Sequence, residues 1–406
     1  MSGRDPSGRP LTLYRPEGRP ALRSAPPPGR ETEPPANREG QPRGGGFLWT
    51  AGILVLVAAM LAGALWIPGV LDGDSPEPPE VVGSLPVWNL AEGSRTIADR
   101  ADSLTAASPN VYEVAPDGGI TSRRQPPGIS VAEGLGTLRA ADIPIVPIVS
   151  NTRDGNWDPE LIRTILHDPN LVRRHVEAIV ALVLREDFAG IDIDYEELTN
   201  ADREAFSDFI TALGVALHAE DRILAVDLFA KESDEGYDQR NLAQDYAAIG
   251  RSADQVRLMG YDWHWQTSEA GPIAPLDWIR RVLAYAVTEI PPEKIVLGIP
   301  TYGYGWAGSS GRLVSWLQAY AASKRYGVPT RWDVTAESPW LVYRDEQGVE
   351  HTLWFENSYS IRTKLAIAHA YGIGGVHLWL VGDEDDGMWP LVSAYHSGSV
   401  EELGAP

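Results

Sequence analysis

The chain has 406 residues, 43% hydrophobic and 22% charged, so it can bury a sizeable core and is not disordered throughout. Its formal net charge of -22 argues against a nucleic-acid partner. The absence of cysteine excludes a disulfide framework and any thiolate metal site.

The N-terminal part of the chain has the composition of a tail followed by a membrane anchor. Residues 1–46 are rich in Pro, Gly and Arg, carry eight Arg against five acidic residues, and are predicted to be disordered. Residues 47–71 contain no charge, and 25 helical residues are long enough to cross a hydrocarbon core of about 30 Å. The alternative, a cleaved signal peptide, is disfavoured because the apolar stretch begins late, is long and lacks a small-residue cleavage site. We therefore predict one transmembrane helix, with the Arg-rich tail in the cytoplasm.

An acidic, Pro-rich stretch at residues 72–83 follows and is predicted to be a short extended linker. The sequence then changes to a globular composition, which predicts one domain over residues 84–398. This arrangement predicts a single-pass protein of the cell membrane whose large domain is extracytoplasmic.

Short apolar runs alternate with amphipathic segments of helical period along this domain, a pattern typical of a parallel sheet covered by helices. Eight runs are found: Leu85–Leu90, Asn110–Val114, Ile143–Ser150, Gly190–Glu196, Ile223–Phe229, Gln255–Tyr261, Lys294–Tyr302 and Gly375–Leu380. Helices are predicted at Asn170–Arg185, Asn200–His218 and Leu276–Thr288, the second capped by Asn200. Eight strands predict an α/β fold of the (β/α)₈ TIM-barrel type. The long gap between strands seven and eight predicts a small α+β insertion at about residues 307–360, with a β-hairpin around Asp345–Gly348.

Three acidic residues alternate along the fourth run. Asp192, Asp194 and Glu196 stand at i, i+2 and i+4, so that in a strand all three point to one face. Carboxylates packed together in a barrel raise one another's pKa, and Glu196 lies at the C-terminal end, where barrel active sites are built. A solvated strand face is the alternative explanation of the same alternation.

The segment Ala189–Glu196 resembles the signature of the family 18 glycoside hydrolases, Asp-Gly-x-Asp-x-Asp-x-Glu. It fits at seven of eight positions with the variable positions counted as free, and Ala189 replaces the first Asp. The resemblance extends over about residues 84–395. It implies that Glu196 is the catalytic acid, that Asp194 orients the substrate, and that Asp192 shares a proton or hydrogen bond with Asp194.

Other segments resemble landmarks of the same family. Met259, Tyr261 and Asp262 match its Met-x-Tyr-Asp segment, which implies that Tyr261 is catalytic and that the others line the substrate site. Trp379 matches the tryptophan on which the distorted sugar stacks, although a single Trp at a strand end is also typical of a core. Two further tyrosines are candidate substrate contacts: Tyr302, which could instead only pack, and Tyr112, beside Glu113 in a segment resembling spore-cortex and cell-wall enzymes.

The resemblance implies a substrate-assisted retaining mechanism, in which the N-acetyl group of the sugar is the nucleophile. No cofactor and no metal are expected, and His264 lacks a second ligand at metal-binding spacing. The expected partner is a polysaccharide containing N-acetylglucosamine, either peptidoglycan, which a wall-facing domain would meet, or a chitin-like glycan. Two other functions remain open: a barrel that binds glycans without cutting them, favoured by Ala189, and a purely structural envelope protein.

Overall fold

The computed structural model describes residues 78–308 and 310–399. Its strands are β1 (Glu80–Pro86), β2 (Ala106–Val114), β3 (Ile120–Ser122), β4 (Ile148–Ser150), β5 (Thr152–Arg153), β6 (Asn156–Trp157), β7 (Gly190–Asp194), β8 (Ile223–Phe229), β9 (Gln255–Met259), β10 (Ile295–Pro300), β11 (Gly303–Ala307), β12 (Ser310–Val314), β13 (Arg331–Asp333), β14 (Ser338–Arg344), β15 (Glu350–Phe355) and β16 (Gly375–Trp379). Its α-helices are α1 (Leu90–Asp99), α2 (Val131–Ala140), α3 (Pro159–Leu166), α4 (Pro169–Glu186), α5 (Arg203–His218), α6 (Gln239–Ala243), α7 (Tyr246–Ser252), α8 (Leu276–Glu289), α9 (Trp316–Tyr326), α10 (Ser358–Ala370) and α11 (Trp389–His396).

Eight parallel strands close into a barrel. Their order is β1-β16-β10-β9-β8-β7-β4-β2, and β1 also pairs with β2, which completes the ring. The predicted (β/α)₈ barrel is therefore confirmed. The strands are short and mostly buried because one face meets the barrel interior and the other meets the helices.

The first strand differs from the prediction. It begins at Glu80, paired with Gly375, and not at Leu85. Val81 and Val82 are fully buried, so the end of the segment expected to be a linker lies in the barrel. The acidic, proline-rich composition of the preceding residues made the start of β1 look like part of the linker in the sequence. The other seven predicted strands are present, with β4 shorter than its apolar run.

The predicted helices are found with small changes at their ends. At the start of α5 a 3₁₀ turn covers Asn200–Asp202, and the helix itself begins at Arg203. The predicted cap, Asn200, is wrong because Thr199 makes the side-chain contact: its backbone N–H and its hydroxyl donate to the Asp202 carboxylate at 2.9 and 2.8 Å.

The insertion between the seventh and eighth barrel strands is an antiparallel sheet with strand order β12-β11-β15-β14-β13, packed against α9. It begins at Gly303, slightly before the predicted boundary. The predicted hairpin is confirmed, because the Asp345 N–H donates to the Val349 carbonyl at 2.9 Å between β14 and β15. The turn needs a glycine at residue 348, whose φ is +80°.

The predicted cytoplasmic tail, transmembrane helix at residues 47–71 and most of the linker lie outside the described residues. Within residues 78–308 and 310–399, no helix has both the length and the apolar composition needed to cross a membrane.

Candidate active site

The three acids of the motif lie on and just beyond β7, inside the barrel and at its C-terminal end. Asp192 is fully buried, and Asp194 and Glu196 are 8% and 7% exposed. The intervening Ile191 and Ile193 are fully buried in the apolar core on the other face of the strand. The alternation is thus that of a two-sided buried strand, and the solvated-face alternative is wrong.

Gly190 is required for the path of β7. A Cβ atom at this position would lie 2.3 Å from the carbonyl oxygen of Ile223 on the neighbouring strand. The second position of the motif therefore lets two barrel strands approach closely.

Tyr195 holds the end of β7 against the helical layer. Its hydroxyl lies 2.6 Å from Nε2 of His175 on α4, and Nδ1 of His175 lies 2.8 Å from the Gly118 carbonyl. Nδ1 must donate to that carbonyl, so Nε2 accepts the tyrosine proton. Burial lowers the pKa of His175 to about 4, which keeps the ring neutral in this arrangement.

Asn151, directly after β4, fixes the backbone at Glu196. The Glu196 N–H donates to Asn151 Oδ1 at 2.9 Å, and Asn151 Nδ2 donates to the Glu196 carbonyl at 3.0 Å. The chain turns away immediately afterwards, because Glu197 has a φ of +62° and pairs with Arg240 at 2.9 Å. The motif resemblance did not identify Asn151; its position at a strand end was the available signal.

Asp194 lies between two other carboxyl groups. Ser150 Oγ is 3.4 Å from its Oδ2, and burial together with the charges of Glu196 and Asp192 raises the pKa of Asp194 well above its usual value. A neutral Asp194 can share its proton with a neighbouring acid, and an ionised one can stabilise a positive charge that develops in the site.

Asp192 has a partner that sequence reasoning missed. Arg257 on β9 is fully buried, and its Nη1 lies 2.6 Å from Asp192 Oδ2 and 2.8 Å from Ser108 Oγ. Burial raises the pKa of Asp192, and Arg257 opposes that rise. An arginine inside an apolar strand is an unusual residue, and this was the signal in the sequence.

A fourth carboxyl group, Asp227 on β8, was also missed. It is 5% exposed, and burial and the charges of Asp192 and Asp194 raise its pKa well above the usual value. Nδ1 of His377 on β16 lies 3.8 Å from Asp227 Oδ1. Burial lowers the pKa of His377 well below its usual value, so this histidine is neutral. The barrel interior therefore holds four carboxyl groups around the guanidinium group of Arg257, and Arg123 lowers the pKa of Asp194 from the mouth.

Aromatic residues of the last strands form one side of the site. The rings of Tyr261 and Trp379 lie nearly parallel, 12° apart with centroids separated by 6.5 Å. Burial and the charges of Asp227, Asp194, Asp262 and Glu196 raise the pKa of the Tyr261 hydroxyl well above its usual value, which keeps it a hydrogen-bond donor. Both rings therefore lie beside the carboxyl cluster, as the predicted substrate roles require.

Tyr302 is 2% exposed, and its hydroxyl donates to Asp262 Oδ1 at 2.6 Å. Of the two roles left open for it, the geometry favours packing and positioning of Asp262. Tyr304 adds a second contact, with its hydroxyl 3.3 Å from Asp262 Oδ2, and was not singled out from the sequence. Met259 is half-buried at the end of β9, shortly before Tyr261 and Asp262 in the chain.

Tyr112 is not brought to the site. It is 6% exposed and packs edge-on against Phe188 in the apolar core, with ring centroids 6.0 Å apart. The reason is a β-bulge in β2 between Asn110 and Tyr112, which interrupts the alternation of the strand. Glu113, the next residue, pairs in register with Ser150 of β4, and its Oε2 accepts a hydrogen bond from the Thr152 hydroxyl at 3.4 Å.

Ala189, the departure from the motif, lies at the N-terminal end of β7. It packs beside a small apolar cluster of Ala106, Val146 and Ala225. The substitution is therefore at the opposite end of the strand from Glu196.

Comparison with known proteins agrees with this geometry. Residues 155–385 match the family described as glycosyl hydrolases family 18. A Bacillus subtilis protein named as the sporulation-specific glycosylase YdhD is 30% identical over 70% of this chain and 67% of its own length. The cortical fragment-lytic enzyme of Bacillus anthracis is 31% identical, with 60% of this chain and 58% of that protein covered.

Solved structures give the same result. A chitinase from Chromobacterium violaceum is 31% identical with a TM-score of 0.73, covering 78% of this chain and 98% of its own. The spore cortex-lytic enzyme SleL of Bacillus cereus is 28% identical with a TM-score of 0.72, covering 78% and 74%. The barrel, the carboxyl line and these similarities together place the chain in the glycosyl hydrolases family 18, as a glycosidase.

Proposed function

We propose that this protein is a membrane-anchored glycosidase that hydrolyses β-1,4 bonds next to N-acetylglucosamine, with peptidoglycan as its substrate. The observation that carries the proposal is the position of Glu196, at the C-terminal mouth of the barrel beside the buried Asp194 and the Tyr261–Trp379 pair. The names of the cortex-lytic relatives favour a wall glycan over chitin.

In the proposed mechanism Glu196 donates its proton to the glycosidic oxygen while the 2-acetamido oxygen of the sugar attacks the anomeric carbon. The bond to the leaving sugar breaks and an oxazolinium ion forms. Asp194 passes its proton to a neighbouring acid of the cluster and, as a carboxylate, stabilises the positive charge; the proton returns to Asp194 when the ion is hydrolysed. The Tyr261 hydroxyl donates a hydrogen bond to the acetamide oxygen. Water then opens the ring, returns a proton to Glu196 and leaves the product with retained configuration.

Trp379 offers an indole face on which a sugar ring can stack, and Asp262, held by Tyr302, offers a carboxylate to sugar hydroxyls or to the acetamide. Attack by the 2-acetamido oxygen requires an N-acetyl group on the sugar at the cleaved bond. Removing that acetyl group should abolish turnover, whereas a mechanism with an enzymic nucleophile would tolerate the change.

The anchor is proposed from residues 47–71. Eight residues separate Leu71 from Glu80. A fully extended chain spans at most about 3.3–3.6 Å per residue, so the connection between the proposed anchor and the domain is short. Resistance of the full chain to extraction from membranes by carbonate would support the anchor, and release into the supernatant would contradict it.

The test of the activity compares the full chain with Glu196→Gln on purified peptidoglycan, on N-acetylglucosamine oligosaccharides and on their de-N-acetylated forms. We expect the parent to cut only acetylated substrates and Glu196→Gln to lose at least about 100-fold in kcat. Glu197→Gln is the matched control, because Arg240 holds this neighbouring carboxylate outside the cluster. Glycan binding without turnover in the parent would support the binding-only alternative, which the remote position of Ala189 disfavours.

A further inference from the structure

The barrel contains a charged layer beneath Glu196 that the proposed mechanism does not use. Among the described residues, Arg257 contacts only groups of the barrel. Its Nη1 reaches Asp192 Oδ2 at 2.6 Å and Ser108 Oγ at 2.8 Å, while Nε and Nη2 donate to Gln255 Oε1 at 3.2 and 2.9 Å. Ser108 in turn donates to the Val146 carbonyl at 2.7 Å. With no exposed surface, Arg257 is held by strands on different sides of the barrel and does not meet the substrate.

The number of buried acids near this cation decides its effect. Asp192, Asp194 and Asp227 are almost inaccessible to solvent, and Glu196 lies directly above them. Arg257 lies inside the cluster and Arg123 acts on Asp194 from the mouth, so four ionised carboxylates would still leave two uncompensated charges in a medium of low dielectric constant, which is strongly unfavourable. At least two of these acids must therefore hold protons, and the acid in contact with the buried guanidinium group of Arg257 is the one that ionises most readily.

We propose that Arg257 is a positioning residue that fixes Asp192 as the permanent anion of this cluster and so confines the mobile proton to Asp194, Asp227 and Glu196. The sharing of a proton between Asp192 and Asp194, expected from the motif, is then replaced by a fixed ion pair. Asp227 takes the place of Asp192 as the neutral acid beside Asp194. The inference rests on the proposed function for its kinetic consequences, but not for its electrostatic ones.

The groups that face the cluster from the other elements agree with this assignment. Ser108 on β2 and Ser150 at the end of β4 contribute uncharged hydroxyls near Asp192 and Asp194. On β16, His377 faces Asp227 as a neutral ring, with its Nε2 beside the Ser84 hydroxyl of β1. Arg123 lies beside Asn110 near the mouth and lowers the pKa of Asp194 from that side. Tyr261, after β9, keeps its proton.

The geometry predicts opposite effects for the two members of the ion pair. In Arg257→Met the loss of a positive charge raises the pKa of the remaining acids. The acidic limb of the plot of kcat against pH should therefore move to higher pH by about one unit or more. In Asp192→Asn the guanidinium charge is no longer neutralised, so the same limb should move to lower pH. Arg257→Lys keeps the charge and should stay close to the parent. In all three variants KM should change by less than about twofold, because neither residue reaches the substrate.

The experiment measures these kcat and KM profiles on peptidoglycan fragments and, in parallel, the Tm of the same proteins from pH 5 to 8. The acids of the cluster have raised pKa values in the folded state, so their contribution to stability falls as pH rises, and this fall should be steeper in Arg257→Met than in the parent. Limbs that do not move, or that move in the same direction in Arg257→Met and Asp192→Asn, would overturn the inference.

If the parent shows no turnover, the proposed function fails, and the difference in Tm slopes alone supports or overturns the role of Arg257. If Arg257→Met does not fold, the comparison of Asp192→Asn with Arg257→Lys decides. A downward shift in the first with a parental profile in the second supports the ion pair, and any other combination overturns it.

Discussion

Asn151 holds the backbone of Glu196 from both sides, accepting its N–H at 2.9 Å and donating to its carbonyl at 3.0 Å. Asn151 is fully buried and follows the strand next to β7, so the proposed acid is fixed by a neighbouring barrel strand and not only by its own.

Asn151→Ala should reduce kcat by about 10- to 100-fold with a small change in KM, because a shift of the acid by about 1 Å is enough for such a loss. Steady-state kinetics with circular dichroism of the variant provide the measurement. Asn156→Ala, at an exposed asparagine of β6, is the control and should behave as the parent. Equal kinetics for both variants would show that the backbone clamp does not position Glu196.

Tyr302→Phe removes the hydroxyl that donates to Asp262 Oδ1 at 2.6 Å. A hydrogen bond to a charged group contributes about 1.5–3 kcal/mol, so we expect kcat/KM to fall by about tenfold or more. Tyr304→Phe, which loses a longer contact of 3.3 Å to the same carboxylate, should have the smaller effect. A larger loss in Tyr304→Phe would mean that Tyr302 only packs.

Asp227→Asn should change the pH dependence of stability. The folded-state pKa of Asp227 is raised well above its usual value by burial, so this acid contributes stability fully below about pH 4, and the contribution is lost as pH rises. Asparagine carries no charge at any pH. The Tm of the variant relative to the parent should therefore increase from pH 4 to pH 8.

Thermal unfolding at pH 4, 6 and 8 provides this comparison. Asp208→Asn, at an exposed position of α5, is the control for the removal of one carboxylate. A Tm difference between Asp227→Asn and the parent that is constant with pH would mean that Asp227 is ionised in the folded protein throughout this range.

Lys364→Met should destabilise the protein strongly. Lys364 on α10 and Glu356, just after β15, form an ion pair of 2.7 Å with side chains that are 0% and 1% exposed. Removing the cation leaves a buried carboxylate without its partner, which costs about 3–5 kcal/mol. Urea unfolding of the single variant and of Lys364→Met combined with Glu356→Leu measures the effect.

The double variant should be more stable than Lys364→Met alone, because no unpaired charge remains. Arg362→Met, at an exposed position of the same helix, should change the free energy of unfolding little. A double variant that is less stable than Lys364→Met would mean that the pair acts by packing and not by charge.

Much of this protein follows from periodicity along the chain. Apolar runs of strand length, separated by amphipathic segments, determine the barrel, since each such segment has one way to bury its apolar side. The alternation of Asp192, Asp194 and Glu196 with isoleucines likewise determines which residues share the barrel interior, because side chains in a strand alternate. The hairpin at Asp345–Gly348 follows from its turn residues.

The tertiary structure decided what depends on contacts between distant strands. Arg257 and Asp192 are 65 residues apart, and no local pattern states that a guanidinium group lies against the first acid of the line. Asp227 and Asn151 belong to the site for the same reason, since closure of the barrel brings β4, β7, β8 and β9 together. Tyr112 lies outside the site because a β-bulge in the pairing of β2 with β4 interrupts the alternation of side chains that the sequence prediction assumes. The local sequence pattern therefore identified the acids, and closure of the barrel determined which charges and hydrogen bonds surround them.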